Sequence, residues 1–341
     1  MKDNLMADTN NKPKCLVTGA SGFLGTNLVH ELVKQGWQVR ASGRSENKYI
    51  ADLPIEYVCA DITKPDDVDR IVEGCEFVFH VAGDTSFWNK QFELQRKINI
   101  DGSINIADAC VKHGVKRLIC TSTIDVFGYD PNGASVDETS KNYNFGNMGY
   151  NYGDSKYEAD QRLKKYNSDQ LEVVTVYPGF MVGPYDFTLQ IGRVFFELAE
   201  GKLPGYPSGG GSFCHVSEVA KAHIAAATKG KAGEGYICAG MPHSNLYYHD
   251  MFKRMAEAIN AKAPKLIIPR WVLVAYGYGC EFISRFTNKA PEMNPGQARY
   301  LSCPQFTSSA KAIAELDYKV PDVETCIQDT LSWYREQGYK I

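Results

Sequence analysis

A glycine-rich segment between a predicted strand and a predicted helix restricts the fold of this chain more than any other feature. Residues 18–25 read Thr-Gly-Ala-Ser-Gly-Phe-Leu-Gly, and apolar side chains recur at helical spacing over residues 26–33. Gly19 allows the turn, Gly22 lets the backbone approach a pyrophosphate, and Gly25 lets the helix pack closely on the strand. The segment therefore predicts a nucleotide-binding loop, in which the first amides of the helix face the phosphates.

Strand and helix patterns alternate along the first half of the chain. Helical segments separate six strand candidates, at residues 14–18, 37–42, 55–59, 76–80, 117–121 and 172–177. Such alternation is typical of an α/β fold, because helices connect neighbouring parallel strands through right-handed crossovers. We therefore predict a Rossmann-type, doubly wound parallel sheet with a smaller, mostly helical C-terminal substrate lobe.

The alternation breaks after the sixth strand candidate, which sets the predicted domain boundaries. We predict a disordered lead-in over residues 1–13 and a dinucleotide-binding domain over residues 14–179, to which residues 213–240 return with one further strand. Residues 180–212 and 241–341 are expected to form the substrate lobe. The substrate cleft would lie between the two parts, at the carboxyl ends of the strands.

Tyr152 and Lys156 indicate chemistry as well as binding. Residues four apart on a helix share one face, so the ammonium can hold the phenol near its ionisation point and make it a proton donor or acceptor. The segment Thr121-Ser122-Thr123 adds hydroxyl groups at the end of the fifth strand candidate. Because alternate residues of an extended segment face opposite sides, one of Ser122 and Thr123 is expected to point into the site.

These features, with further motifs in the same order, resemble the extended short-chain dehydrogenase/reductase family over nearly the whole chain. Together with Arg44, the pattern is similar to the branch of dihydroflavonol reductases and 3β-hydroxysteroid dehydrogenases. The further motifs are Asp61-Ile62, His80-Val81-Ala82-Gly83, Asn99 in Ile-Asn-Ile-Asp-Gly, Pro178-Gly179, the His-Val-Ser-Glu-Val-Ala run from His215, and the Ser-Ser-Ala-Lys-Ala run from Ser308.

The resemblance implies a role for each residue of the site. Tyr152 would donate the proton to a carbonyl oxygen, while Lys156 and an oxidised nicotinamide would lower the pKa of the phenol. Thr123, with Ser122 as the alternative, would hold the carbonyl oxygen, and Asn99 would orient backbone or water. The implied cofactor contacts are Gly19, Ser21, Gly22, Phe23, Leu24, Gly25, Arg44, Lys48, Asp61, Ile62, Val81, Ala82, Gly83, Tyr152, Lys156 and Pro178.

The end of the second strand candidate bears on the choice of cofactor. NAD enzymes of this architecture usually place an acidic residue there for the ribose 2′-hydroxyl, whereas this chain has Gly43, then Arg44 and, further on, Lys48. A guanidinium can stack on adenine and bind a 2′-phosphate through two hydrogen bonds. We therefore predict NADP(H) as the cofactor, with NAD(H) as the alternative.

Aromatic residues near the motifs favour an apolar substrate. Related sugar-nucleotide epimerases often carry arginine before the proline of the sixth strand, whereas this chain has Tyr177, so a hydrophobic ketone is preferred. Three functions stay open: an NADPH-dependent ketone reductase or reverse alcohol dehydrogenase, a sugar-nucleotide epimerase or dehydratase, and a non-catalytic NADP-binding regulator. The predicted substrate contacts are Asp84, Thr85, Phe87, Trp88, Phe180, Tyr185 and Phe187.

Composition and charge exclude several other classes of protein. A net charge of −3 and a pI of about 6.2 provide no basic surface for nucleic acid, and the ten cysteines lack metal-binding spacing. We expect a cytoplasmic enzyme with reduced cysteines and without a signal peptide or a metal ion. The family resemblance implies a homodimer joined through helices around residues 98–113 and 150–165.

One long apolar stretch needs a separate interpretation. Residues 271–286 are too few to span a bilayer, and they include Glu281 and Arg285. We favour a buried or pocket-covering helix, with a helix lying on a membrane surface as the alternative.

Overall fold

The computed structural model describes residues 12–341, so residues 1–11 of the predicted lead-in lie outside the described residues. The strands are β1 (Lys14–Thr18), β2 (Gln38–Gly43), β3 (Glu56–Cys59), β4 (Phe77–His80), β5 (Arg117–Thr121), β6 (Glu172–Pro178), β7 (Phe180–Val182), β8 (Tyr206–Pro207), β9 (Gly210–His215), β10 (Gly235–Cys238), β11 (Asn245–Tyr247), β12 (Ile267–Ile268) and β13 (Pro304–Gln305). The α-helices are α1 (Phe23–Lys34), α2 (Pro65–Val72), α3 (Phe92–Arg96), α4 (Gly102–Lys112), α5 (Asn151–Leu163), α6 (Arg193–Ala199), α7 (Val216–Thr228), α8 (Tyr248–Ala258), α9 (Arg270–Thr287), α10 (Pro295–Tyr300), α11 (Ala310–Leu316) and α12 (Val323–Glu336).

Seven parallel strands form the central sheet, in the order β10-β6-β5-β4-β1-β2-β3. The predicted Rossmann-type, doubly wound sheet is confirmed, and all six strand candidates belong to it. The strand order reverses between β1 and β4. In open sheets of this kind, ligands bind at the carboxyl ends of the strands where the order reverses.

Alternating side chains of the central strands form a core on each face of the sheet. On β1, Cys15 and Val17 pack in one core with residues of α1 and α7, whereas Leu16 packs with residues of α2 and α4 in the other. The strands are continuous apolar runs because helices cover both faces. These two cores fix the carboxyl ends of β1, β4 and β5 relative to one another.

A second, smaller sheet and several helices form the rest of the molecule. Strand β9 pairs with β11 antiparallel, and with β7 and β13 parallel. Residues of α6, α8 and α12 share a third core that includes Phe195, Met251 and Leu331. This part is mostly helical, and it supplies aromatic residues to the site described below.

Helix α9 is not buried, which corrects one of the two forms of the favoured interpretation, a buried or pocket-covering helix. Of its eighteen residues, Leu273, Gly277 and Ser284 are buried, whereas Trp271 is 74% exposed and Phe286 is 76% exposed. The contact face is made of small residues: a Cβ at Gly277 would lie 2.8 Å from the backbone before α10. The helix therefore packs closely through this narrow face and turns its larger apolar residues outward.

The backbone geometry of the nucleotide loop requires two of its glycines. Gly19 has a φ of 67°, and a Cβ there would lie 2.7 Å from the backbone of Ala82. A Cβ at Gly25 would lie 2.1 Å from the Gly19 carbonyl oxygen. Strand β1, helix α1 and the segment after β4 can therefore meet closely only because these side chains are absent.

Substitution of Gly25 tests this close approach. Gly25→Ala should lower the free energy of unfolding by about 2 kcal/mol or more, because the methyl group forces α1 away from the loop. Gly279→Ala is the matched control: among the described residues nothing lies within 4 Å of a Cβ at this helical glycine. Alanine there should raise stability by up to about 1 kcal/mol. Urea unfolding measures both changes, and equal stability of the two variants would contradict the close-packing argument.

Candidate active site

The glycine-rich loop forms a tight turn at the carboxyl end of β1. The Gly22 amide donates to the Gly19 carbonyl at 2.9 Å, and the Ala20 amide donates to the Ser42 carbonyl of β2 at 3.0 Å. Helix α1 begins after Gly22, and no side chain among the described residues caps its first amides. Free amides at a helix N-terminus bind phosphate, so the loop fits the pyrophosphate of a dinucleotide.

The other predicted residues of this loop divide between the surface and the core. Ser21 is partly exposed in the turn, whereas the side chains of Phe23 and Leu24 are buried in the first turn of α1. The groups that Phe23 and Leu24 can offer to a phosphate are therefore their backbone amides.

Gly43 ends β2 in a crowded position. A Cβ there would lie 2.7 Å from the Ser21 hydroxyl oxygen and 2.8 Å from the Tyr57 hydroxyl oxygen. The Tyr57 hydroxyl also donates a hydrogen bond to the Ser45 carbonyl. An acidic side chain at this position would displace both neighbours, so the usual carboxylate contact with a ribose 2′-hydroxyl has no room here.

Positive charge follows Gly43. Arg44 and Lys48 are both exposed in the segment after β2. On the neighbouring strand end, the Asp61 carboxylate accepts hydrogen bonds from the Thr63 amide at 3.0 Å and the Thr63 hydroxyl at 2.8 Å. These bonds, with a contribution from the Arg44 charge, lower the pKa of Asp61. The side chain of Ile62 is buried, so both predicted adenine contacts have side chains engaged within the protein.

The end of β4 is fixed to its neighbours by a buried histidine. The Thr18 hydroxyl lies 2.9 Å from His80 Nδ1, and the Ser103 hydroxyl lies 2.9 Å from Nε2. Burial lowers the pKa of His80 to about 3, so the ring is neutral at physiological pH. The Ala82 amide donates to the same Thr18 hydroxyl at 3.2 Å. Val81 and Ala82, predicted to line the nicotinamide side, are partly exposed at this strand end.

Asn99 joins the segment after β4 to helix α5. Its Oδ1 accepts from the Asp84 amide at 2.7 Å, while Nδ2 donates to the Asp84 carbonyl at 3.0 Å and to the Ser155 hydroxyl at 2.9 Å. Asn99 lies in a π-helical turn, Lys97–Asp101, and such turns are frequent at functional sites. The amide thus orients backbone, which is the role that the family resemblance implies for it.

Helix α5 presents Tyr152 and Lys156 to the carboxyl end of β5. The Tyr152 phenol lies close enough to the Thr123 side chain for that side chain to lower its pKa, and the Lys156 ammonium donates to the Thr121 carbonyl at 2.7 Å. Burial raises the pKa of the phenol and the Asp125 carboxylate raises it further, so the Thr123 side chain opposes both. Burial lowers the pKa of the Lys156 ammonium to about 8.

Lys156 is not among the groups that shift the pKa of the phenol in this arrangement, so its effect together with an oxidised nicotinamide stays a prediction. The ammonium is held by the Thr121 carbonyl, and its Nζ lies 4.0 Å from the position of a Cβ on Gly83. Lys156 therefore lies beside the strand ends where the nicotinamide side of the cofactor is predicted.

Thr123, rather than Ser122, is the hydroxyl that meets Tyr152. The Ser122 hydroxyl is buried and has no hydrogen-bond partner within residues 12–341. The Thr121 hydroxyl is engaged by the ring of His223 at 2.8 Å. Of the two hydroxyls that the sequence left open, Thr123 is therefore the one near the phenol, and its role toward a carbonyl oxygen stays a prediction.

A buried carboxylate that the sequence analysis did not identify lies close to Tyr152. Asp125 accepts hydrogen bonds from the hydroxyls of Tyr150 at 2.9 Å and Tyr300 at 3.1 Å, and the two rings stack with centres 4.0 Å apart. Burial raises the pKa of Asp125 to about 6, although its hydrogen bonds oppose that change. Asp125 lies two residues after Thr123, but Tyr300 lies 175 residues further on, so no local pattern could indicate the pair.

Two of the predicted substrate contacts join this aromatic group. The Phe87 ring stacks on Tyr150 with centres 5.9 Å apart, and the Phe180 ring lies 6.3 Å from Tyr300. Phe87, Phe180 and Tyr152 all pack against the same buried cluster. The wall beside Tyr152 is therefore aromatic and largely apolar.

The structure does not bring Tyr185 and Phe187 to this wall. Their rings pack on Tyr49, with centres 5.7 Å and 5.2 Å away, and Tyr185 also lies 5.7 Å from Trp333. Aromatic side chains pack in protein cores as well as in binding pockets, and these two pack against the core of the C-terminal part.

The remaining predicted site residues lie at strand ends or in the segment after β4. Asp84 caps its own turn by accepting from the Ser86 amide at 2.7 Å, and Thr85 is exposed. The Trp88 indole donates to the Ser284 hydroxyl of α9 at 3.1 Å. Pro178 ends β6. The segment after β4 thus connects the cofactor side of the site with α9.

The fold and these groups define a dinucleotide-binding α/β protein with a hydroxyl, phenol and ammonium set at the strand ends. Residues 15–239 match the NAD dependent epimerase/dehydratase family, and the chain belongs to that family. Its family and relatives are NAD(P)-dependent reductases and epimerases.

Comparisons with individual proteins agree with this membership. The chain is 27% identical to the putative dihydroflavonol 4-reductase of Synechocystis sp., over 95% of each chain. It is 30% identical to the 2-alkyl-3-oxoalkanoate reductase of Stenotrophomonas maltophilia, over 67% of this chain and 68% of the relative. The crystal structure of gox2253 superposes with a TM-score of 0.81 and 28% identity, covering 96% of this chain and 99% of that one.

Removal of the Asp125 charge should change the pH dependence of stability. The pKa of Asp125 is about 6 in the folded protein and near 3.8 in the unfolded chain, so between these values the folded protein keeps a proton that the unfolded chain releases. The wild-type Asp125 therefore lowers the free energy of unfolding as the pH rises. Relative to the wild type, Asp125→Asn should therefore gain about 2 kcal/mol between pH 4 and pH 7. Urea unfolding at both pH values measures the gain.

Asp137→Asn is the control for this measurement. Hydrogen bonds from Thr139 lower the pKa of Asp137, so loss of this carboxylate should cost stability as the pH rises. A pH-independent difference for Asp125→Asn, or the same sign for both variants, would contradict the assignment of Asp125 as a buried, proton-retaining acid.

Proposed function

We propose that this protein is an NADPH-dependent reductase of a hydrophobic ketone, able to act in reverse as an alcohol dehydrogenase. The observation that supports this most directly is the placement of the Tyr152 phenol near the Thr123 side chain, with Lys156 beside the strand ends and an aromatic wall next to the phenol. Reduction of a hydrophobic ketone requires a proton donor and an apolar pocket, and the Tyr152 phenol and the aromatic wall beside it provide them.

The dinucleotide would bind across the carboxyl ends of β1 and β4. The uncapped amides after Gly22 fit its pyrophosphate, and Lys156, beside Gly83, would bind the nicotinamide ribose. When bound, the reduced nicotinamide supplies a hydride to the carbonyl carbon. Gly83 has no side chain, so the segment after β4 leaves room for a flat ring against the backbone.

Tyr152 would supply the proton. Because burial raises the pKa of its phenol, Tyr152 is protonated at neutral pH and acts as an acid in the reductive direction. As hydride reaches the carbonyl carbon, the π electrons of the carbonyl would move to oxygen, and Tyr152 would give its phenolic proton to that oxygen and be left as tyrosinate. Thr123 would hold the carbonyl oxygen, and the Lys156 ammonium would stabilise the tyrosinate that remains.

The position of Tyr177 supports a ketone over a nucleotide sugar. Its hydroxyl donates to the buried Asp160 carboxylate at 2.8 Å, so the residue that is often arginine in related sugar-nucleotide epimerases faces the core here. An epimerase or dehydratase would return its cofactor unchanged, and a non-catalytic regulator would bind NADP without turnover. Net oxidation of NADPH in the presence of a hydrophobic ketone therefore separates the proposed reaction from both alternatives.

The organisation of the protein in solution is part of the proposal. We propose a dinucleotide-binding domain over residues 14–179 with 213–240, a substrate lobe over 180–212 and 241–341, and a cytoplasmic homodimer. Light scattering after gel filtration tests the dimer, and a monomeric mass over the working concentration range would contradict it.

Loss of the Tyr152 hydroxyl tests the proton donor. Tyr152→Phe should lower the rate of ketone reduction by ~10²–10⁴-fold, while NADPH still binds, because a positioned acid contributes about that much. Tyr157→Phe, one turn further along α5, is the control, since the Tyr157 ring stacks on Tyr143 and phenylalanine preserves that contact. Steady-state rates and NADPH fluorescence report both properties. A near-normal rate in Tyr152→Phe would remove this residue from the proposed mechanism.

Loss of the Arg44 guanidinium tests the choice of cofactor. Arg44→Ala should weaken NADPH binding by about 1.5–3 kcal/mol and leave NADH binding nearly unchanged, because a charged hydrogen bond to the 2′-phosphate is lost. Arg335→Ala removes an exposed arginine from α12 and should affect neither cofactor. Fluorescence titration measures the dissociation constants of NADPH and of NADH for the wild type and for each variant. Equal weakening of NADPH and NADH by Arg44→Ala would argue for NAD(H).

A further inference from the structure

Helix α9 exposes an apolar face of unusual extent. Trp271, Phe282 and Phe286 are 74%, 61% and 76% exposed, and Tyr278 is 56% exposed. With Ala275, these residues recur at intervals of four, three, four and four, which places them on one side of the helix. Soluble proteins seldom leave such a contiguous apolar stripe in water unless it binds something.

The exposed surface continues through the segment that leads into the helix. Leu266 and Ile267 are 67% and 60% exposed and lie shortly before α9. We define the α9 patch as the exposed apolar residues Leu266, Ile267, Trp271, Tyr278, Phe282 and Phe286.

Positive charge is concentrated in the segment of the chain that carries the α9 patch. Residues 262–290 carry five basic residues and one acidic residue, a net charge of +4 in a chain whose total is −3. The one acidic side chain, Glu281, accepts a hydrogen bond from Asn89 at 2.9 Å. The five basic side chains, all exposed, are Lys262, Lys265, Arg270, Arg285 and Lys289.

We propose that the α9 patch docks on an anionic lipid surface. An apolar helical face enters the boundary between headgroups and acyl chains, and nearby lysines and arginines are attracted to anionic headgroups. None of the helices within residues 12–341 is long and apolar enough to cross a membrane, so α9 lies on the surface with its axis in the plane. Trp271 and Tyr278 are the amphipathic side chains that favour this boundary.

Charge argues against a second copy of this chain as the occupant. A two-fold interface brings the same surface of each copy together, so a patch with a net charge of +4 would face another of the same charge. Without a screening partner, this repulsion opposes association. An anionic lipid surface complements both the apolar residues and the charge.

Docking in this orientation would place the candidate active site near the lipid. Residues after β4 contact α9 directly: Trp88 donates to Ser284 at 3.1 Å and Asn89 donates to Glu281 at 2.9 Å. If the proposed reduction of a hydrophobic ketone holds, the substrate could enter from the bilayer without crossing water. Lipid binding itself does not depend on that reaction, so the two proposals can fail separately.

Vesicle co-sedimentation of the full chain tests the proposal. We expect the wild type to bind vesicles with about one third phosphatidylserine at least tenfold more tightly than vesicles of phosphatidylcholine alone, and less tightly as salt rises. A blue shift of tryptophan emission should accompany binding and should be lost in Trp271→Tyr, because the other tryptophans lie outside the patch. No sedimentation above the phosphatidylcholine background would overturn the proposal.

Paired variants separate the apolar contribution to lipid binding from the electrostatic contribution. Phe282→Gln with Phe286→Gln should reduce binding by about tenfold or more, whereas Ile313→Gln, at an exposed apolar position on α11, should not. Arg285→Gln with Lys289→Gln should reduce binding to anionic vesicles by about tenfold, and Lys34→Gln with Lys141→Gln should leave it unchanged. Circular dichroism and urea unfolding check that each variant is folded, without reliance on the proposed reaction.

One result would assign the patch to a different occupant. If the wild type forms a concentration-dependent oligomer that Phe282→Gln with Phe286→Gln dissolves, and if none of the variants changes vesicle binding, the patch is a contact between copies of the chain. That outcome would overturn the lipid proposal.

Discussion

The candidate site depends on the buried side-chain amide of Asn99. This one group uses its acceptor and both of its donors, and thereby ties the backbone of Asp84 to Ser155 on α5. Leaving such a buried group without its partners costs about 1–3 kcal/mol. The segment that carries Gly83 and the helix that carries Tyr152 and Lys156 are therefore held in a fixed arrangement. The proposed reaction would need this, because one substrate would take a hydride from the cofactor and a proton from the phenol.

Burial, more than pairing of charges, sets the protonation states around this amide. Desolvation keeps His80 neutral and keeps the Tyr152 phenol protonated, and it raises the pKa of Asp125 toward the physiological range. In such a site the Tyr152 phenol oxygen carries a proton, and few full charges face the substrate. This property and the aromatic wall around Tyr150 both support the proposed preference for an apolar carbonyl compound over a nucleotide sugar.

The sequence predicted the sheet and the nucleotide loop because both follow from local periodicity. Apolar runs of strand length alternate with helical patterns, and Gly25 marks the one place where helix and strand must touch. The residues of the aromatic wall were only partly predictable. Phe87 lies near a motif, but Tyr300 reaches Asp125 across 175 residues, and such a contact is fixed by the packing of the C-terminal part rather than by a local pattern.

The absence of a local signal for tertiary packing also explains two differences from expectation, the positions of two aromatic residues and the exposure of α9. Aromatic side chains such as Tyr185 and Phe187 have no local signal that distinguishes a pocket from a core. The apolar composition of residues 271–286 indicated burial, whereas Gly277 and Ser284 make only a narrow contact face and leave the larger side chains outside. Composition indicates how apolar a helix is, and the position of its small residues decides which side packs.

The most direct test of the account is the fate of the cofactor hydride. The protein would be incubated with NADPH deuterated at nicotinamide C4 and a panel of hydrophobic ketones, and the products would be analysed by mass spectrometry and NMR. The account predicts one deuterium on the new carbinol carbon and one NADP⁺ formed for each ketone reduced. No net oxidation of NADPH with any ketone, together with turnover of a nucleotide sugar at constant cofactor, would contradict it.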